Sequence, residues 1–304
     1  MSNTIELSKV TYTAGKSFQI SDLNLHVPEG AIYGFLGANG SGKTTTIRLI
    51  MGMLRAERGH ISVLGEKVPN DMPSILGRTG YVPERPHLYP GLTVGETLRY
   101  HASFYKDWDS EWSYELVEAL HLDARRTVGQ MSKGEKGKLV ILLAIAQRPE
   151  LLILDEPTDG LDPVVRRDVL TAVLDYVSHT KATVFISSHL VHELERFCDW
   201  VGVVDDGTLV AELPMEDFKS GIKRLRVENP PAETDDAPFT VLNRTFIDRR
   251  NPVETWVVRG WQDAMTQYFE RTGATVCDVM DLDLEEGFVE LLRSSRPSSN
   301  GYGE

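Results

Sequence analysis

An α/β fold with a mostly parallel sheet is what this chain of 304 residues predicts, and three observations carry that prediction. An apolar run, 31–36, leads directly into Gly37-Ala38-Asn39-Gly40-Ser41-Gly42-Lys43-Thr44-Thr45, after which a helix-like run occupies 46–53. A second apolar run, Leu151-Leu152-Ile153-Leu154, ends in the adjacent carboxylates Asp155 and Glu156. Around both, short β-like runs alternate with amphipathic helical stretches from residue 5 to about 212, the order expected when helices cover the faces of a parallel sheet.

The glycine run is a phosphate-binding loop in its expected setting, strand before and helix after. Glycines reach positive φ and let successive backbone N–H groups curl around an anion at the positive end of a helix dipole. Lys43 would reach the β- and γ-phosphates of a nucleoside triphosphate, and the Thr44 hydroxyl would hold Mg²⁺. Further on, Thr93-Val94-Gly95-Glu96 is a capping-box pattern that opens a helix over 93–105, and a second helical stretch follows over 109–121. No strong strand separates them, so residues 84–147 read as a mostly helical insertion. Asp162 and Pro163 form an N-cap and first-turn pair, after which Val165, Val169, Ala172, Val173, Tyr176 and Val177 recur at helical spacing. Residues 183–187 read as a strand, and 201–204 and 208–211 as two more joined by the turn Asp205-Asp206-Gly207.

Beyond residue 213 the pattern changes. Asn229-Pro230-Pro231 and 233–236 break the periodicity, while 239–242 and 255–258 look like strands. The chain thus divides into a nucleotide-binding domain at 1–212, a small α+β C-terminal subdomain at 213–295, and a disordered tail at 296–304. No internal repeat is visible, so one nucleotide core is expected per chain.

Composition narrows the function. With 32 basic and 45 acidic residues the net charge is −13, which argues against binding duplex DNA or RNA, where Lys and Arg must neutralise phosphates. The longest apolar run, 139–146, is far short of the roughly 20 residues that cross a bilayer, and the N-terminus shows no secretory pattern. Any membrane role is therefore expected to come through a partner. Cys198 and Cys277 are too few for a disulfide framework or a cysteine-rich zinc site and are expected to be two buried thiols in a reducing cytoplasm.

The run ending at Asp155 and Glu156 is how a buried parallel strand delivers acids to the C-terminal edge of a sheet. Asp155 would hold Mg²⁺ directly or through water, and Glu156 would polarise the water that attacks the γ-phosphate. Between the two motifs lies Met131-Ser132-Lys133-Gly134-Glu135, directly before a helical run at 136–147. With it, residues 1–212 resemble the ATPase subunit of an ABC transporter. The motifs stand in the family's order: Walker A at 37–45, the signature at Ser132-Lys133-Gly134-Glu135, Walker B at 151–156, Pro157-Thr158-Asp159-Gly160-Leu161-Asp162 as the D-loop region, and His189 as the switch histidine after a strand.

The resemblance implies a phosphate-loop NTPase core of the ABC type. It also implies that the signature serves the ATP held by a second ATPase subunit, in a homodimer or heterodimer that sandwiches two MgATP head to tail. His189 would touch the γ-phosphate and link it to Glu156. Tyr12 occupies the place where the family stacks an aromatic ring on adenine, and it also reads as strand filler. Two departures stand out. Lys133 and Glu135 replace the Gly and Gln of the commonest signature, whereas Ser132 and Gly134 are kept. Glu84, in Tyr81-Val82-Pro83-Glu84, stands where a glutamine is expected; it can meet Mg²⁺ or its water, or be an exposed loop acid. The stretch Phe104-Tyr105-Lys106-Asp107-Trp108-Asp109, with Ser132-Lys133-Gly134 and Asp162-Pro163-Val164-Val165-Arg166-Arg167, is similar to a bacterial branch serving drug and antibiotic-responsive exporters with separate permeases. The resemblance therefore implies an ATP-hydrolysing subunit on the inner face of the cell membrane, driving an integral-membrane permease, with export as the expected direction. The alternative is a soluble ABC-type ATPase acting on ribosomes or nucleic acid; such relatives carry two cores, coiled coils or zinc modules, and this chain has one core and neither addition.

Overall fold

The computed structural model describes residues 2–15, 18–105, 108–248 and 252–295. The expected tail at 296–304 lies outside them, as do Lys106 and Asp107. The chain opens with β1 (Asn3–Ala14) and β2 (Phe18–Pro28), antiparallel from Asn3 opposite Pro28 to Ala14 opposite Phe18. β3 (Ile32–Leu36), buried at every residue, delivers the backbone to the glycine loop, and α1 (Lys43–Ile50) leaves it. β4 (Arg58–Val63) returns to pair with β1, and β5 (Glu66–Val68) pairs with β4, completing an antiparallel sheet of order β2-β1-β4-β5.

After α2 (Met72–Gly77) and β6 (Thr79–Val82) come three helices, α3 (Val94–Ala102), α4 (Ser110–Ala119) and α5 (Lys133–Ala146). Then follow β7 (Leu151–Asp155), α6 (Pro163–Thr180), β8 (Thr183–Ser188), the single turn α7 (Val191–Leu194), β9 (Trp200–Asp205) and β10 (Thr208–Pro214). The central sheet has the order β10-β9-β3-β8-β7-β6, parallel throughout except for β10 at one edge.

That sheet is a wall between two apolar cores, which is why β3, β7 up to Leu154 and the centre of β8, Val184-Phe185-Ile186, read as continuous apolar runs and not as alternating strands. Leu151, Ile153 and Phe185 face Ile47, Leu49 and Ile50 of α1 and the N-terminal sheet. Leu152, Leu154, Val184 and Ile186 face α5 and α6. On the first face Tyr33 stacks on Phe185 at 5.5 Å between ring centroids, and Phe35 lies 5.2 Å from the same ring. Truncating a fully buried core residue such as Leu142 to alanine would cost ~2–5 kcal/mol.

Local chemistry sets the helix starts. Thr93 and Glu96 form the capping box of α3, Asp109 caps α4 through Trp112 N–H, and Asp162 accepts from Val164 and Val165 N–H at 3.1 Å each to start α6. α5 begins three residues before the run that hydropathy marks at 136–147. The reason is a second capping box, in which Ser132 accepts from Glu135 N–H and Glu135 accepts from Ser132 N–H.

The C-terminal part comprises α8 (Met215–Gly221), β11 (Ile222–Glu228), β12 (Thr240–Asp248), β13 (Val253–Arg259), α9 (Thr266–Thr272), β14 (Thr275–Asp281) and α10 (Leu284–Ser295). Its antiparallel sheet has the order β12-β13-β11-β14 and a core of its own around Trp256, Phe239 and Phe269. α10 packs back on α7, β9 and β10, joining Leu284, Phe288 and Leu291 to the core that holds Val191 and Leu194. The expectation of two buried thiols is corrected: Cys198 is buried, but Cys277 is exposed, because nearly every residue of the edge strand β14 faces solvent.

Candidate active site

The glycine loop is shaped by positions that tolerate no side chain. Gly40 and Gly42 have φ of 84° and 114°, in the region that L side chains avoid. A Cβ on Gly37 would lie 2.6 Å from Val204 O, so this residue is glycine for want of space. α3, α4, α5 and α6 each have a side-chain cap, whereas α1 starts at Gly42 with none, leaving its first N–H groups free to face an anion.

Opposite the loop, β7 and β8 end side by side and bring four groups together. Asp155 is almost wholly buried; its Oδ1 accepts from Ser187 Oγ at 2.8 Å and from Thr44 Oγ1 at 3.2 Å, and its Oδ2 has no partner. Burial pushes the Asp155 carboxyl above the ordinary carboxylate range; the two hydroxyls pull it down, and the charges of Glu84 and Glu156 push it up. Glu156 sits at φ 48°, a left-handed conformation uncommon outside glycine, and its N–H donates to the same Ser187 Oγ at 3.0 Å. That twist turns the Glu156 carboxylate toward both Lys43 and His189. Oε1 lies 3.1 Å from Lys43 Nζ, and Oε2 lies 2.8 Å from His189 Nδ1. Lys43 Nζ also donates to Gly37 O at 2.7 Å and Ala38 O at 3.2 Å. The lysine is thus folded back on its own loop, holding the place into which phosphate oxygens would draw it.

A cleft of about 540 Å³ opens over these groups, lined by Phe18, Asn39, Gly40, Gly42, Lys43, Thr44, Thr45, Glu84, Glu156, Asp159 and His189. Of the residues singled out from the sequence, Tyr12 is not in this lining. It is half-buried in β1 opposite Ile20, and strand alternation turns it onto the core of the N-terminal sheet. The ring at the cleft belongs to Phe18, whose Cζ would lie 2.8 Å from a Cβ on Gly42. Ser41 is buried beneath the loop, and Ala38 borders a neighbouring cavity between the loop and the C-terminal sheet.

Ser132 and Glu135 do not line the cleft of their own chain. Glu135 is held by Arg126 as well as by the capping box, and Gly134 gives room to α6, since a Cβ there would lie 2.9 Å from Val165 Cγ2. Lys133 lies against Gly160 and lines a second groove with Glu84, Glu156 and Asp159. Asp162 is engaged as the α6 cap. Sequence reasoning passes over Phe18 and Ser187. Phe18 carries only the signal of an aromatic at a strand start, and Ser187 only that of a hydroxyl two residues before His189.

A glycine loop at a helix start, facing a buried aspartate and a twisted glutamate held by lysine and histidine, defines a phosphate-loop ATPase. Comparison with known proteins narrows this further. The sequence pattern of the ABC transporter family matches residues 20–159. The bacitracin transport ATP-binding protein BcrA of Bacillus licheniformis is 33% identical over 96% of this chain and 98% of its own length. The Nod factor export ATP-binding protein I of Cupriavidus pinatubonensis is 34% identical over 68% of this chain and 65% of its own. Among solved structures, an ATP-binding subunit of an ABC transporter superposes with a TM-score of 0.64 at 30% identity, over 71% of this chain and 92% of that one. The chain belongs to the ABC transporter family, as an ATP-binding, ATP-hydrolysing subunit. Such subunits pair and work with a membrane permease; among the described residues of this chain, no helix is long and apolar enough to cross a membrane.

Proposed function

We propose that two copies of this chain, or this chain and a close relative, close head to tail around two MgATP and drive a separate permease in the direction of export from the inner face of the cell membrane. The observation that carries this reading is the separation of two half-sites on one chain. The phosphate loop, Glu156 and His189 line one cleft, with Asp155 buried beneath it on Thr44, whereas Ser132 starts another helix outside it. Ser132 Oγ accepts from Glu135 N–H, which leaves its hydroxyl proton available to a γ-phosphate presented by a second chain.

Within the closed pair, Lys43 exchanges Glu156 for the β- and γ-phosphates, and Glu156, released on one oxygen, accepts the proton of the attacking water. His189 keeps the other oxygen oriented. The bare Oδ2 of Asp155 and the Thr44 hydroxyl fit a Mg²⁺ that arrives with the nucleotide, and Glu84 lines the same cleft. When bound, Mg²⁺ would offset the negative charge that builds on the phosphates during transfer to water.

Support for a membrane partner comes from Tyr89, Tyr100 and Phe104, which are 52%, 45% and 67% exposed and stack edge to face at 5.4 and 5.3 Å. An exposed aromatic ladder on the helical insertion suits an apolar segment of a permease. Export rather than import is drawn from the likeness to the Nod factor export protein. The test is Glu156→Gln: nucleotide binding stays within about twofold, turnover falls by about 10²-fold or more, and a nucleotide-bound dimer accumulates in size-exclusion chromatography. Unchanged turnover removes Glu156 from its role. Recovery of the chain with ribosomes or nucleic acid, and not with a permease, favours the soluble alternative.

A further inference from the structure

The segment after Glu156 and the helix after His189 are joined a second time, behind the cleft, by a carboxylate that the hydrolysis chemistry does not use. Glu193, on α7, is 8% exposed. Its Oε2 accepts from Thr158 Oγ1 at 2.7 Å, and its Oε1 pairs with the guanidinium of Arg166 in the first turn of α6. Arg166 in turn donates through Nη2 to Leu161 O at 3.4 Å. One buried charge therefore fastens three pieces of chain: the loop at 157–162 that follows Glu156, the first turn of α6, and α7, which follows His189.

The spacing gives this fastening its consequence. Thr158 follows Glu156 by two residues and Glu193 follows His189 by four, so the His189–Glu156 contact at 2.8 Å and the Glu193–Thr158 contact at 2.7 Å close a small ring between two loops that leave neighbouring parallel strands. Neither loop is fixed at this point by the ladder, which ends with Asp155 opposite Ser187. For stability alone, a buried ion pair with one hydroxyl ligand is a poor device, since its desolvation cost rivals its attraction. As a clamp it is directional, because it converts the position of the 157–162 loop into the position of His189.

We propose that Glu193 is a positioning residue for hydrolysis: by holding Thr158 and Arg166 to α7, it sets the imidazole of His189 against Glu156. This rests on the roles proposed for Glu156 and His189. In a pair of subunits, movement of the 157–162 loop when the second chain arrives would pass through Arg166 and Glu193 to His189. The carboxylate thus relays partner contact to the reacting end of the cleft.

The test uses the full-length chain as purified, with Glu193→Gln, Thr158→Val, the double variant and Glu156→Gln in parallel, reading turnover, MgATP affinity and thermal midpoint. Glu193→Gln is isosteric and keeps the Thr158 hydrogen bond within reach. The expected result is a fall in kcat of about tenfold or more with KM and nucleotide affinity within about twofold, and a double variant no worse than the poorer single one, as for residues acting as a unit. Turnover within about twofold of the parent in Glu193→Gln, beside an inactive Glu156→Gln, overturns the clamp and leaves an ordinary ion pair. Equal losses of nucleotide affinity and cooperative unfolding overturn it likewise. Full turnover in Glu156→Gln overturns the assignment of Glu156 and the clamp built on it together.

Discussion

Replacing Asp155 by asparagine is expected to stabilise the nucleotide-free protein while abolishing its response to Mg²⁺. The carboxylate is 1% exposed, with Ser187 and Thr44 on Oδ1 and nothing on Oδ2. Two effects oppose each other. A charged acceptor strengthens each of those hydrogen bonds by about 1 kcal/mol over a neutral one. An ionised group with one bare oxygen, in a site shared with Glu84 and Glu156, carries a desolvation and repulsion cost of several kcal/mol. The cost wins, because the balance, burial first, lifts this carboxyl above its ordinary range. Asparagine keeps an acceptor for Ser187 and Thr44 and turns an NH₂ toward the two glutamates. The net gain is on the order of 1 kcal/mol, or about 2 °C in Tm for a chain of this size. The sign with pH follows from linkage. The native state retains a proton that the unfolded chain has released, so the parent loses stability as pH rises from the ordinary aspartate value through the raised one, and the variant lacks that slope. Calorimetric scans from about pH 4 to pH 8, with and without MgATP, check both points. The variant melts higher at neutral pH without nucleotide, and the parent overtakes it when MgATP at about a hundredfold excess over Kd adds ~2.7 kcal/mol to the parent alone. A variant that melts below the parent at neutral pH in the absence of nucleotide refutes the reasoning, since the carboxylate would then be a structural anchor for Thr44 and Ser187 and not a ligand awaiting a cation.

What can be read from the sequence is set by how local each feature is. The glycine loop is legible because its constraint, backbone N–H groups around an anion, is written in nine consecutive residues. β7 is legible because burial on both faces leaves the unbroken apolar run Leu151-Leu152-Ile153-Leu154, and β8 because Val184-Phe185-Ile186 stand together between hydroxyl residues. Asp155 and Glu156 follow from their place at the end of such a run. The start of α5 is hidden by Lys133-Gly134-Glu135, which is polar enough to resemble loop until Ser132 and Glu135 are seen to cap one another. β14 leaves no trace because an edge strand exposed on almost every residue lacks alternation, and β11 begins with the charged run Lys223-Arg224 between its apolar positions. The Phe18 ring and the Ser187 bridge depend on contacts across 24 and 32 residues of sequence, to Gly42 and to Asp155 respectively, and no window of periodicity reaches that far. The two readings of Tyr12, adenine stacking and strand filler, are not separable in the sequence for a related reason: position in the order of motifs is a one-dimensional argument, and the direction of a side chain on a bulged strand is settled only by its pairing.

The exposed ladder predicts a variant that separates chemistry from coupling. Phe104→Ser, at a side chain 67% exposed, should leave stability within about 0.5 kcal/mol and basal turnover unchanged, while reducing stimulation by the co-purified permease in proteoliposomes. Equal stimulation would move the docking surface elsewhere. The two candidate rings at the nucleotide base are separable in the same way. Phe18 lines the cleft above Gly42 and Tyr12 does not, so loss of the Phe18 ring should cost a stacking contact of about 0.5–1.5 kcal/mol and raise the Kd for ATP by about 2- to 12-fold. Tyr12→Ala should leave that Kd within about twofold; its ring packs on the N-terminal core, as the Phe18 ring also does, so both variants should lower the thermal midpoint. Titration of both variants with a fluorescent ATP analogue, and again with inorganic triphosphate, distinguishes a base contact from general loosening: loss of a stacking ring weakens only the ligand that carries a base, whereas loosening weakens both. If Tyr12→Ala weakens ATP more than Phe18→Ala does, the hairpin of β1 and β2 must rearrange on nucleotide binding, and the cleft as it stands is then the resting form of the base site.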